Sequence, residues 1–206
     1  MKALIFDMDG TLWDGVQTYT DAWNAILLEK QVGKPLTKAF LDSLMGMEED
    51  AFLKAVLPDL SVKERREIYT EVVEKQYAMI RTQGGLIYPG VQEGLEALKE
   101  RYALFIVSNC PKYTVKHFMA FAGIEDLITD HRTHGQRGWS KAMNIKSLIE
   151  QYELDQAYYI GDTQGDAQAS AQAGLPFVYV RYGFGSASNS DFSFDSFPEL
   201  VKHFIY

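Results

Sequence analysis

Residues 2–15 read KALIFDMDGTLWDG, and this stretch limits what the chain can fold into more than any other. Ala3, Leu4, Ile5 and Phe6 form a short unbroken apolar run, the pattern of a strand buried on both faces of a parallel sheet. The run stops at Asp7, and Asp9 follows one residue later. Two carboxylates at the end of a buried strand are costly to desolvate unless a positive charge lies on them. A hard cation or a lysine is the usual partner. The carboxyl ends of parallel strands are also where open α/β sheets bind ligands. Gly10 lets the chain turn there and brings its backbone close to whatever binds. Taken alone, the same residues also suit an ordinary polar turn, since Asp and Gly favour turns.

Downstream, the periodicity is first helical and then mixed. Tyr19, Ala22, Trp23 and Ile26 predict an amphipathic helix over residues 18 to about 31, broken by Gly33 and Pro35. Shorter helices are expected over 37–44, ended by Gly46, and over 48–57, ended by Pro58. Ser61 with Glu64 is a capping-box pattern that opens a long helix to about residue 81, and Gly84 and Gly85 close it. Beyond Pro89-Gly90, apolar runs at 103–107, 127–129, 157–160 and 177–180 alternate with helical stretches. With the opening run they make five strands. Strands alternating with helices imply right-handed βαβ units. The expected fold is α/β: a doubly wound, parallel, five-stranded Rossmann-like sheet. The four helices that interrupt the alternation read as an inserted all-helical cap over residues 15–84, with residues 1–14 and 85–206 as the core. The Ser-, Phe- and Asp-rich stretch 185–197 reads as a loop, and 196–204 as a terminal helix.

Three strand ends carry polar signals: Asp7 with Asp9, Ser108 with Asn109, and Asp162 with Asp166 in GDTQGD. Clustered carboxylates at strand ends call for a divalent cation, and all-oxygen donors favour Mg²⁺, which keeps its waters and bridges to phosphate. Lys112, Lys141 and Lys146 are rivals for the counter-charge, and Lys141 stands at a helix start behind Ser140.

DxDGT after the first strand, Ser108 in IVSN, Lys141 and GDxxxD at 161–166 together resemble the four motifs of the haloacid dehalogenase-like hydrolases. The resemblance covers nearly the whole chain, the helical insertion included. It implies that the first strand lies between the second and fourth, so that the three polar ends meet. It also implies roles. Asp7 would be the nucleophile, and Asp9 the general acid and base whose backbone carbonyl also meets the metal. Ser108 and Asn109 would hold the phosphoryl oxygens, and Lys141 would neutralise them. Asp162 would bind Mg²⁺ directly, and Asp166 would hold the ion's waters or Lys141. Ala142 stands where one common form of the third motif has Pro. Within the family it resembles, an Asp at position 9 implies phosphate transfer rather than carbon–halogen or carbon–phosphorus cleavage.

The expected activity is therefore Mg²⁺-dependent hydrolysis of a small phosphate monoester through an aspartyl-phosphate, as in phosphoglycolate phosphatase-like members. A phosphomutase of the β-phosphoglucomutase type shares all four motifs. That subgroup carries a His in the first cap helix and an Arg in the cap loop, whereas Tyr19-Thr20 and Met47-Glu48-Glu49 stand in the corresponding regions here. A non-catalytic binding protein on the same fold is the other alternative. Gly46, with Met45 and Met47, is either a cap loop facing the site or a plain turn between helices. The loop Tyr182-Gly183-Phe184-Gly185 either lines the site or is a glycine-rich turn. Trp13 is either part of the core–cap joint or core.

Among 206 residues the formal net charge is -8, and no basic stripe is present, which argues against a nucleic-acid partner. No apolar stretch reaches membrane-spanning length. The apolar run before Asp7 is too short for a signal peptide. The single Cys110 forms no intramolecular disulfide, so a reducing cytoplasmic setting is expected. A monomer or homodimer acting on a small phosphorylated metabolite is the expected form.

Overall fold

The computed structural model describes residues 1–206. Its centre is a six-stranded, all-parallel sheet in the order β5-β4-β1-β6-β7-β8. The strands are β1 (Lys2–Phe6), β4 (Ala103–Ser108), β5 (Asp130–Thr133), β6 (Gln156–Gly161), β7 (Phe177–Val180) and β8 (Phe192–Phe194). β1 lies between β4 and β6, with Phe6 opposite Ile106 on one side and Ile160 on the other. Its residues Ala3 to Phe6 are fully buried, as a strand covered on both faces must be.

Helices cover both faces. One face packs α5 (Val91–Lys99), α6 (Thr114–Ala122) and α10 (Phe197–Ile205) into the larger apolar core with Leu4, Phe6, Leu104 and Ile106. The other packs α8 (Lys141–Tyr152) and α9 (Gln164–Ala173) against Ala3, Ile5, Phe105, Val107 and Tyr159. A one-turn α7 (His134–Arg137) follows β5. Alternate residues of β1 and β4 serve opposite cores, which is the period-two rule of a strand.

Between β1 and α5 the chain makes a two-stranded antiparallel ribbon, β2 (Trp13–Asp14) with β3 (Leu86–Ile87). The segment spanned by that ribbon holds α1 (Val16–Lys30), α2 (Lys38–Asp42), α3 (Glu49–Val56) and α4 (Val62–Thr82). α1 and α4 pack along each other, and Ser61 and Glu64 cap α4 reciprocally, with Ser61 N–H donating to Glu64 Oε2 at 2.8 Å. Trp13 is fully buried, and its ring lies 4.7 Å from that of Phe118.

Two strand expectations are corrected. The third parallel strand is Asp130–Thr133, not 127–129: Glu125–Leu127 is a 3-10 turn. This is an edge strand whose sequence is polar because its charges pair locally. Arg132 Nη1 lies 2.7 Å from Asp130 Oδ2, and Tyr152 Oη donates to the same oxygen at 2.8 Å. The sheet also has a sixth strand inside the stretch expected to be a loop. Phe192–Phe194 pairs with β7, and at a sheet edge a three-residue Phe-Ser-Phe alternation is enough.

The Asp130 cluster carries a testable sign. Burial alone would raise the Asp130 carboxyl; hydrogen bonds from Arg132 and Tyr152 outweigh it and hold the group below its ordinary 3.8. A depressed folded value stabilises the protein above the unfolded value and is lost as pH falls through the folded one. Asp130→Asn is therefore expected to lower Tm by about 2–4 °C at pH 7, the effect of roughly 1 kcal/mol at this chain length. The deficit should shrink as pH falls below the ordinary value of 3.8. Thermal scans across pH 3 to 8 check it, and a deficit that does not change with pH rejects it.

Candidate active site

β1, β4 and β6 end side by side, and the polar residues that follow them converge. Asp7 N–H still belongs to the sheet, donating to Ile160 O at 2.8 Å, so Asp7 is placed by backbone pairing and not by a mobile loop. Carboxylate oxygens of Asp7, Asp162 and Asp166 all lie within 4.8 Å of one another, and all three residues are buried. Lys141, at the first turn of α8, reaches into this cluster. Its Nζ lies 3.1 Å from Asp7 Oδ1 and donates to Asp166 Oδ1 at 2.6 Å. Ser140 Oγ caps α8 through Met143 N–H, which fixes where that first turn begins. The two rival lysines, Lys112 and Lys146, are exposed.

Asp166 has two jobs. Oδ2 accepts from Thr163 N–H (3.0 Å) and Thr163 Oγ1 (2.6 Å), completing a reciprocal cap on α9. Oδ1 holds Lys141 and also accepts from Tyr159 Oη at 3.2 Å. Both oxygens are thus engaged by the protein. Asp162 differs: Oδ2 accepts from Phe184 N–H at 2.8 Å and Gly185 N–H at 3.3 Å, while Oδ1 is buried without a hydrogen-bond partner.

Asp9 points another way. Its Oδ1 accepts from Tyr19 Oη at 2.8 Å and from Trp13 Nε1 at 3.0 Å, so the first helix and the β2 ribbon orient it. Ser108 lies at the end of β4 and lines the same cavity as Asp7, Asp9 and Lys141. Asn109 lines it too, and its Nδ2 donates to Gly46 O at 3.2 Å. Gly46, at φ +82°, faces the Thr163 side chain, so the turn with Met45 and Met47 lies over the site.

The electrostatics follow from burial. Burial raises Asp7 to about 6 although Lys141 opposes it, and the Asp166 charge adds to the rise. Burial and then the Asp7 charge raise Asp9 to about 7 against hydrogen bonds from Tyr19 and Trp13. Burial, Asp166 and Asp7 raise Asp162 to about 8. Burial by itself would push the Lys141 ammonium down, but Asp166 and Asp7 outweigh it and hold the group well above its ordinary value. Three buried acids thus share one lysine. A further positive charge fits this surplus, and the free Oδ1 of Asp162 beside Asp7 supplies oxygen donors for it. The donor set suits a divalent metal ion.

Five site residues were not assigned a place here by sequence. Tyr19 reads as one of the apolar positions on an amphipathic helix, and Tyr159 as part of a buried strand. Gly183 and the amides of Phe184 and Gly185 belong to a loop with two readings. A Cβ on Gly183 would stand 2.4 Å from Gly10 O, and one on Gly10, at φ +83°, 2.3 Å from Asp162 Oδ2. The backbone here is packed directly against the carboxylate. Gly10→Ala is expected to displace Asp162 and lower kcat/KM by about 10- to 100-fold, since small misplacements cost that much. Steady-state kinetics and a thermal scan check it, and unaltered kinetics reject it.

Residues 4–180 match the sequence profile of a family described as Haloacid dehalogenase-like hydrolase. The chain belongs to that family. It is a hydrolase, and the curated relatives it matches include phosphatases. A phosphoglycolate phosphatase from Aquifex aeolicus is 30% identical over 212 residues, covering 98% of this chain and 96% of the relative. Another from Haemophilus influenzae is 27% identical, covering 97% and 96%. Among solved structures, a predicted phosphoglycolate phosphatase from Haemophilus somnus superposes with TM-score 0.86 at 23% identity, covering 98% and 97%. A haloacid dehalogenase-like hydrolase from Streptococcus pneumoniae gives 0.85 at 22%, covering 99% and 98%. These two structural likenesses concern the fold. No helix is long and apolar enough to cross a membrane.

Proposed function

We propose that this hydrolase is a Mg²⁺-dependent phosphatase that cleaves a small phosphate monoester through an aspartyl-phosphate on Asp7. The observation that carries the reading is the meeting of Asp7, Lys141, Asp162 and Asp166 at one sheet edge, with Asp9 separately held on the same cavity.

An Asp7 carboxylate oxygen attacks phosphorus, and the bond from phosphorus to the ester oxygen breaks. Asp9, raised to about 7 and oriented by Tyr19 and Trp13, gives its proton to the departing alcohol oxygen. Asp9 then takes a proton from water, whose oxygen attacks phosphorus and breaks its bond to Asp7. Inorganic phosphate leaves, Asp7 is again a carboxylate and Asp9 is again protonated. Ser108 and Asn109 donate to the phosphoryl oxygens, and Lys141 neutralises charge there. Asp7, Asp162 and the Asp9 carbonyl are the groups that would hold Mg²⁺, which supplies charge neutralisation for the phosphoryl group. Asp166, with both oxygens occupied, acts by positioning Lys141.

The core comprises residues 1–14 and 85–206, and residues 15–84 act as a lid. Support comes from the β2–β3 ribbon, where the chain leaves and returns at one place, and from Thr18 Oγ1, which donates to Gly84 O across that joint. The cavity under the helices measures about 90 Å³. That is several times the roughly 10–15 Å³ one water needs, so it has room for a compact alcohol. A small metabolite is therefore the partner, and the unpaired Cys110 suits a reducing cytoplasm.

A panel of phosphate esters assayed for phosphate release with Mg²⁺ or with EDTA tests the reading. Release should need the ion. At 100 times its Kd, Mg²⁺ should raise stability by about 2.7 kcal/mol, and Asp162→Asn should remove most of that. Isomerised sugar phosphate in place of free phosphate would point to a mutase. No turnover at all would leave a binding protein.

A further inference from the structure

Away from the carboxylates, the cavity wall turns apolar and aromatic. Trp23, Leu41, Met45, Phe52 and Tyr69 line it, from α1, α2, the turn after α2, α3 and α4. Trp23 is 2% exposed, stacks on Tyr69 at 6.0 Å and 21°, and lies 5.9 Å from the Phe52 ring. This is a rigid hydrophobic wall.

Charge is distributed unusually for an enzyme that must receive an anion. Among the lining residues Lys141 is the single cation, and it is already committed to Asp7 and Asp166. The acid away from the catalytic cluster is Glu49. Lys38, whose Nζ lies 5.9 Å from the Phe184 ring, is not part of the lining and is paired with Asp14 at 3.0 Å and Asp42 at 2.9 Å. A carboxylate or second phosphate on the departing alcohol would lose its water on this wall and gain no counter-charge.

Neutral polar groups interrupt the wall, Gln76 from α4 among them. Gln76 is 6% exposed and lines the cavity, where its amide is open to a ligand. A ligand group that hydrogen-bonds it is favoured over one that displaces its water without doing so.

Resting on the phosphatase reading above, we infer that the departing alcohol is uncharged and largely apolar, with one hydrogen-bonding group that meets the Gln76 amide. The two-carbon carboxylate named in the relatives' substrate is then a poor fit for this chain. The hydrophobic wall supplies binding through buried area, and the absent cation supplies rejection of anionic alcohols.

The test compares benzyl phosphate with 2-phosphoglycolate and fructose 1,6-bisphosphate, using the full chain with Mg²⁺. Benzyl alcohol is an ordinary alkyl leaving group, so intrinsic reactivity does not bias the result. Benzyl phosphate should have the higher kcat/KM by about 100-fold, the scale on which one apolar pocket discriminates. Phe52→Arg should raise kcat/KM for phosphoglycolate and lower it for benzyl phosphate. Gln76→Leu should raise KM for 3-hydroxybenzyl phosphate by several-fold more than it alters that for benzyl phosphate. Phosphoglycolate turned over as well as benzyl phosphate overturns the inference while leaving the phosphatase reading intact. An equal response of both benzyl esters to Gln76→Leu removes Gln76 from it. If no ester releases phosphate, the phosphatase reading fails instead. Titration calorimetry then tests the wall directly: tighter binding of benzylphosphonate than of phosphonoacetate supports it, and equal or weaker binding overturns it.

Discussion

Asp7→Asn is expected to abolish phosphate release, lowering kcat by about 10⁴-fold or more, while the protein stays folded. The two halves of that expectation have separate causes. The amide has nearly the carboxylate's shape, and the Asp7 backbone remains paired with Ile160 in the sheet, so the fold has no reason to change. The amide nitrogen is no nucleophile toward phosphorus, so the chemistry has nowhere to start. Removing one of three neighbouring buried acids also relieves repulsion, and Tm should hold or rise slightly. Release of phosphate within tenfold of wild type would sink the aspartyl-phosphate route. A collapsed Tm would show that Asp7 is needed for folding and would leave its chemistry to be tested by a covalent trap in the wild-type protein.

Lys141→Met should be the most destabilising single change in the site, costing about 3–5 kcal/mol. The side chain is 7% exposed, and its ammonium is the partner of both Asp7 and Asp166. Removing it leaves buried carboxylates facing one another with no cation. The sign with pH follows. Asp7 and Asp162 already sit above their ordinary 3.8, at about 6 and about 8, chiefly from burial. Without Lys141 they rise further. A raised folded value means the native state binds protons more tightly, so its stability is lost as pH rises. The deficit relative to wild type, measured by denaturant unfolding in EDTA, should be largest near pH 8 and smaller at pH 5.5. Lys112→Met and Lys146→Met, both on exposed side chains, should stay within about 0.5 kcal/mol of wild type. Equal effects for all three lysines would remove Lys141 from its place at the centre of the cluster.

The choice among those lysines shows where reading the chain stops. Lys141 is preferred to Lys112 and Lys146 through its place in the motif series, since as bare residues each is a cation near a helix. The packing of α8 beside α9 sets the distance from its ammonium to Asp7 and Asp166. Tyr19 is similar. Its helical spacing was legible, but its hydroxyl meets Asp9 because α1 returns over the strand end. Gly183 meets Gly10 through a contact spanning more than half the chain.

Local pattern settled what local physics controls. The apolar run before Asp7 dictated a buried central strand, Ser61 with Glu64 dictated a helix start, and the spacing of acids after β1 and β6 marked the sheet edge. Those outcomes depend on residues a few positions apart, whose desolvation and hydrogen bonding are decided before the chain closes on itself. Edge strands escaped the same reading. Asp130–Thr133 is polar because its charges pair within the strand and with Tyr152, and Phe192–Phe194 is too short for a pattern. What tertiary structure alone decided was which charges share one dry space. Coulomb attraction in a buried site acts between groups brought together by the whole fold, and no spacing along the sequence encodes that distance.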